Sequence, residues 1–162
     1  MKTKFILALA ACTVLGPMAA RPENLLRNPG FEAEGHWEAF ESAALRNRWR
    51  SHDGGSYNAG LLGLWADSGL NAMVAQRDIP VVGGRDYLFQ AWVWADLGWQ
   101  PFEQYMKVVF FDADEQALTE ESKPFRGLHP VWSPLRFRVA APTGAVAAAV
   151  SIGANEVSHY GS

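Results

Sequence analysis

Trp92 and Trp94 stand two residues apart in Tyr87–Ala95, YLFQAWVWA, with Gln90 two residues ahead of Trp92. On an extended chain this spacing puts all three side chains on one face, because successive side chains alternate with a period of two. Leu88 shares their face, and Tyr87, Phe89, Ala91 and Val93 take the other. A row of flat indoles beside an amide suits a pyranose ring, whose C–H faces stack on aromatic planes while its hydroxyls need polar neighbours. Arg136 and Arg138 are further polar groups of a suitable kind, alternating with Leu135, Phe137 and Val139 in Pro134–Val139. Lys107, on one side of Met106–Phe111, is a similar case. Trp99 lies in a Gly-Trp-Gln-Pro loop, where it either lines the mouth of a cleft or caps the core.

Each of these residues also has a packing explanation. Trp is buried more often than displayed, so Trp92 and Trp94 can equally pack beneath the Leu97–Phe102 loop, and the Arg pair reads most simply as a solvated face. Trp37 and Trp132 read as core, whereas Trp49, Trp65 and Tyr57 stay open. Gln76 reads as the maker of a strand-end hydrogen bond rather than as a ligand contact.

Other chemistries find less support. His36, His52, His129 and His159 show no metal-ligand spacing. Asp112, Asp114 and Glu115 form an acidic turn without the Gly and terminal Glu of a helical calcium loop, so they read as a hairpin. There is no Gly-x-Ser-x-Gly elbow and no Gly-rich phosphate loop after a strand. Paired carboxylates for glycoside hydrolysis need a deep cleft, which a chain of 162 residues has difficulty building. No enzymatic activity is expected.

The net charge is −3. Without Lys2 and Lys4 the 14 basic residues become 12 against 17 acidic ones, a balance of −5 that argues against a nucleic-acid partner. At 49% hydrophobic and 19% charged, the composition is that of one folded domain rather than a disordered chain or a coiled coil.

The elements that must position these residues are strands. Period-two runs cover Tyr87–Ala95, Met106–Phe111, Pro134–Val139 and Ala145–Ile152, with weaker ones at Leu61–Trp65 and Met73–Ile79. Turn signals separate them at Asp53-Gly54-Gly55, Val82-Gly83-Gly84, Asp112-Ala113-Asp114 and Ala141-Pro142-Thr143-Gly144. Short strands so punctuated predict an all-β sandwich or barrel. A short helical turn is expected around Glu38–Arg48. Near the start, NLLRNPGFE spans Asn24–Glu32, where Pro29 and Gly30 suit the second and third positions of a type II turn, with positive φ at Gly30.

Residues 1–20, MKTKFILALAACTVLGPMAA, have a cationic start, an apolar stretch and then small residues, as in a secretory leader too short to be a membrane span. Two processing readings compete. Cleavage after Ala20 would leave one domain, residues 21–162, secreted or periplasmic. Cleavage at Leu9-Ala10-Ala11-Cys12 would make Cys12 a lipid-bearing anchor, the sole link to a membrane. In both, the folded domain has no disulfide, thiol nucleophile or Cys-based metal site.

The order of features, from NLLRNPGFE and Trp37 through Gln76, VVGGRDYLFQAWVWA and VVFFDADEQAL to WSPLRFRVAAPTG, resembles bacterial carbohydrate-binding modules of the cellulose- and xylan-binding type. These belong to the galactose-binding-domain-like jelly rolls, and the likeness covers Asn24 to about Asn155. It implies a jelly-roll β-sandwich of two antiparallel sheets following a cleaved signal peptide. It also implies a non-catalytic, monomeric domain that binds a polysaccharide or oligosaccharide on a concave sheet. The Tyr87, Phe89, Ala91 and Val93 side would enter the core, leaving Gln90, Trp92 and Trp94 on the concave face with Arg136 and Arg138 at its rim and Trp99 near its mouth. Leu25 and Leu26 would form a short first strand, Phe31 would plug the core, and Glu32 would face a structural Ca2+, for which oxygen ligands suit a hard cation. The sequence departs from the family at its other end, where the usual Asp-Asp pair of a final strand is absent. Either the last strand is missing or the calcium site lacks a ligand. The alternative function is an envelope structural or protein-interaction domain that keeps the jelly roll without binding sugar.

Overall fold

The chain is seen in a computed structural model that describes residues 5–15, 23–30, 35–40, 62–64, 70–95, 99–100, 103–126 and 132–159. Within them the secondary structure is all β: β1 (Phe5–Leu15), β2 (Glu38–Phe40), β3 (Leu62–Leu64), β4 (Leu70–Pro80), β5 (Asp86–Ala95), β6 (Trp99–Gln100), β7 (Glu103–Phe111), β8 (Ala117–Phe125), β9 (Ser133–Ala140) and β10 (Ala147–His159). A four-stranded sheet runs β3-β1-β5-β9, and a six-stranded sheet runs β2-β4-β10-β7-β8 with β6 paired to β10. Every ladder is antiparallel. This is the β-sandwich that the period-two runs predict, and it is jelly-roll-like as the family resemblance implies.

The alternation explains the core. Tyr87, Phe89, Ala91 and Val93 of β5 and Phe137 and Val139 of β9 bury one side of the smaller sheet. They belong to one cluster with Met106, Val108 and Phe110 of β7 and Ala148, Val150, Ile152 and Ala154 of β10. Tyr87 and Phe110 meet across it with ring centroids 6.4 Å apart, and Val108 and Phe110 are fully enclosed. Burial of side chains of this size contributes about 1.5–3 kcal/mol each. The Tyr87 hydroxyl is satisfied at the edge, accepting from Val82 N–H at 2.6 Å.

β10 is Ala-rich yet extended. It lies between β4 and β7, where its small side chains let both neighbours pair along it, so tertiary pairing overrides the helix preference of Ala.

Two turns lock one end of the sandwich. Gly84 N–H donates to Ala141 O and Ala141 N–H to Arg85 O, both at 2.8 Å. A Cβ at Gly83 would stand 2.8 Å from Pro142 O, so this close approach requires glycine.

β4 carries a bulge. Ala148 pairs with Ile79 but Val150 with Gln76, so Arg77 and Asp78 together oppose Ala149, and Asp78 takes φ 55°. The extra residue re-phases the strand, and Val74 and Gln76 before the bulge and Ile79 after it are all buried.

Several expectations need correction. Glu38–Phe40 is a strand paired to β4 rather than the start of a helical turn; residues 41–48 lie outside the described residues. Leu25 and Leu26 form no strand, and only Asn24 makes a bridge there. Leu26 is instead a buried core residue. The left-handed residue of the Asn28–Gly30 turn is Asn28, at φ 47°, and not Gly30. Asn tolerates that region because its short amide can bond locally. β8 was not foreseen, because its exposed sequence ALTEESKPF has no apolar alternation. Phe5–Leu15 pairs with β5 from Phe5 opposite Ala95 to Leu15 opposite Asp86. That ladder belongs to the full-length chain.

Candidate functional site

The outward face of β5 and β9 gathers most of the residues singled out by their chemistry. Directly opposed residues of antiparallel strands share a face, with Cβ atoms about 4.5–5.5 Å apart. Trp92 faces Pro134, Gln90 faces Arg136 and Leu88 faces Arg138. On the other flank of β5, Trp92 is opposite Ala8, Gln90 opposite Ala11 and Leu88 opposite Thr13. Trp92, Gln90 and Leu88 are half-buried, and Pro134, Arg136 and Arg138 are exposed.

The reverse side of the same strands is fixed. Tyr87, Phe89, Ala91 and Val93 are 0–3% exposed, so β5 cannot rotate its outward groups without breaking the core. Rigid backing of this kind holds a binding row in place with little ordering cost.

The polar groups of this face are not committed to one another. Among the described residues, neither the Arg136 nor the Arg138 guanidinium has a carboxylate partner, and the Gln90 amide and Trp92 indole N–H make no internal hydrogen bond. Asp86, opposite Ala140, ends the row without bonding to Arg138. From β8, Lys123 Nζ donates to Arg136 O at 2.7 Å, tying the edge of the larger sheet to that of the smaller. Lys123 and Asp86 were not anticipated. Lys123 sits on the strand without an apolar signature, whereas Asp86 continues the even-numbered register of Leu88, Gln90 and Trp92 and was findable from it.

The remaining candidates fall elsewhere. The Trp99 backbone opens β6, opposite His159 of β10. The side chains of Trp94 and Trp99 lie outside the described residues, although the Trp94 backbone continues the row opposite Ile6. Lys107 belongs to the six-stranded sheet and not to a strand beside β9. Its Nζ lies 2.8 Å from Glu120 Oε1 and 5.5 Å from the Tyr105 ring centroid. The hydrogen bond to Glu120 raises its pKa above the ordinary Lys value, with burial acting in the opposite sense. Ser151 and Ala75 share that outward face and are buried.

Trp37 is core, 7% exposed, with Nε1 donating to Asn28 O at 3.2 Å. Trp132 is half-buried and outside the core cluster. Gln76 makes the hydrogen bonds read for it: its Oε1 accepts from Arg27 N–H at 2.7 Å and its Nε2 donates to Arg27 O at 2.8 Å. The Asp112 turn is the expected hairpin, with its carboxylate accepting from the N–H groups of Asp114 and Gln116. Phe31 and Glu32 lie outside the described residues, and among the described residues no group of three acidic, His or Cys side chains could hold a metal ion.

No protein-family model matches the chain, and no curated protein matches it. Solved structures do. The enzymatically active domain of tailspike protein 4 from bacteriophage CBA120 superposes with a TM-score of 0.63 at 12% identity, over 80% of this chain and 18% of that one. The CBM22-1–GH10 modules of Clostridium thermocellum xylanase 10B, complexed with xylohexaose, give a TM-score of 0.48 at 16% identity, over 76% of this chain and 24% of that one. The chain thus spans about a fifth to a quarter of these proteins. The second likeness is too loose to bear on function. The first shows a shared fold, a two-sheet β-sandwich, and nothing finer.

Proposed function

We propose that this protein is an exported, non-catalytic carbohydrate-binding domain whose glycan stacks on the outward face of β5 and β9. One observation carries the reading. Trp92 stands half-exposed on a rigid strand, beside Gln90, Arg136 and Arg138, whose side-chain polar groups have no partner among the described residues. The family likeness of the sequence points the same way. β9 forms one flank of β5 and Phe5–Leu15 the other, so the face as seen is that of the chain with residues 5–15 in place. A calcium ion at Glu32 remains an expectation of that likeness and has no part in the stacking.

The test is affinity electrophoresis in gels containing xylan, β-glucan, mannan, galactan or pectin, with and without a chelator. Retardation by at least one polymer, lost in Trp92→Ala at unchanged melting temperature, is expected. Absence of retardation by every polymer for a folded protein overturns the reading. Loss of retardation with chelator would add a calcium requirement.

A second reading, an envelope protein-interaction domain, has one observation in its favour. Val82 and Val146 are 55% and 47% exposed beside the paired turns, and Leu118, 41% exposed, approaches the same end near Gly144. Exposed apolar residues gathered at one place mark contact surfaces. Concentration-dependent association that is lost in Val146→Asp, in a protein indifferent to every glycan, would favour it.

A further inference from the structure

The polar groups on the β5–β9 face are mostly donors. Each guanidinium presents five N–H donors and no acceptor, and the indole adds one donor. Of the β5 and β9 residues on the face, Gln90 is the one neutral polar side chain able to accept within the central rows, and Asp86 lies at the end. A neutral sugar offers hydroxyls that both give and take hydrogen bonds, so a row built for it would mix carboxylates and amides with its cations. A donor row suits an anionic group, and the planar guanidinium fork matches a carboxylate through two parallel bonds.

Charge supports the same conclusion. Arg136 and Arg138 are two residues apart on one strand, hence about 7 Å along it, and Lys123 anchors its ammonium on the carbonyl of the same Arg136. None of the three has a carboxylate partner among the described residues. The whole chain is nonetheless acidic, with 17 acidic against 14 basic residues. Lys107, on the other sheet, has taken Glu120 as partner at 2.8 Å. A protein rich in acids has thus left a cation cluster without carboxylate partners among the described residues, beside the half-buried Trp92 indole, where it would focus a local positive potential.

We infer that the ligand is an acidic glycan, with its sugar ring stacked on Trp92 and an anionic substituent, carboxylate or sulfate, held by Arg136 and Arg138. This rests on the carbohydrate-binding reading and narrows it to a substrate class.

The experiment compares polygalacturonate and a sulfated galactan with neutral galactan and xylan by affinity electrophoresis, at low and high salt, with polyglutamate as an anion lacking sugar rings. Tighter retention by one acidic glycan than by either neutral polymer, weakened by salt, is expected. Which acidic glycan is retained distinguishes carboxylate from sulfate. Arg136→Gln and Arg138→Gln should each weaken that retention about tenfold, the scale of a charge-assisted hydrogen bond. Neutral polymers retained as well as acidic ones, or Arg variants that bind as the parent does, overturn the inference while leaving the broader reading intact. Equal retention by polyglutamate also overturns it, because charge alone would then suffice. If no glycan is retained, both fail together.

Discussion

The outward faces of the two sheets invite comparison, because both present an aromatic ring beside cations and only one leaves them free. On the six-stranded sheet Lys107 is held by Glu120 and lies near the buried Tyr105 ring, and Asn155 Nδ2 donates to Glu103 Oε2 at 3.2 Å. On the four-stranded sheet the comparable row of Trp92, Gln90, Arg136 and Arg138 makes no such internal bonds among the described residues. The two arrangements serve different ends. Polar groups that bond one another stabilise the fold a little and have little left to offer a ligand. Polar groups held by a rigid backbone but left without partners contribute little to stability and keep their hydrogen-bonding capacity for something outside.

The sharpest way to break this comparison is to exchange the aromatic losses. Trp92→Ala should weaken glycan binding about tenfold or more, on the scale of a central aromatic contact, with melting nearly unchanged. Tyr105→Ala should do the reverse, costing about 2–3 kcal/mol in denaturant melts while binding persists. Collapse of the Trp92 variant would show that its ring belongs to the core.

The two glutamines of β4 and β5 sharpen the contrast. Gln76→Leu strands both the N–H and the C=O of Arg27 and should cost about 2–3 kcal/mol without altering binding. Gln90→Leu should change stability by less than about 0.5 kcal/mol, as at a surface site, and weaken binding. Equal stability losses in the two variants would mean that Gln90 is not a free group.

Gly83→Ala tests the frame that both faces share. With Pro142 O only 2.8 Å from the new methyl group, a loss of about 1–3 kcal/mol is expected in urea melts.

The smallest effect concerns Lys107. Its pKa is raised in the folded protein, so its contribution is present at neutral pH and is lost as pH climbs past the ordinary value of 10.5 into the shifted range. The pair is largely solvated, and Lys107→Met should cost less than about 1 kcal/mol at neutral pH, a difference that shrinks in alkaline melts. A difference that grows there would contradict the assigned role of Glu120.

How much of this was legible in the sequence depends on what each residue reports about itself. β5 and β7 could be read because they are dense in aromatic and β-branched residues, and β9 because Leu135, Phe137 and Val139 alternate with Arg136 and Arg138. β8 could not, because an exposed edge strand has no apolar side to alternate. Proline at 124 suits such an edge. The two inward phases of β4 escaped notice because a bulge leaves no mark in composition, and Asp78 in the left-handed region is a consequence of pairing with β10. In the candidate site, the alternation put Gln90 and Trp92 on one face and Arg136 and Arg138 on another, but only the ladder places them opposite one another.

The ladder between Phe5–Leu15 and β5 has a consequence for timing. Export machinery of the general kind threads an unfolded chain and reads its address as a free segment. If these residues are such an address, a chain that completes its sheet first has hidden the address alongside Asp86–Ala95. Folding and departure would then be rivals for the same eleven residues, and the protein's destination would be decided by which of them is faster.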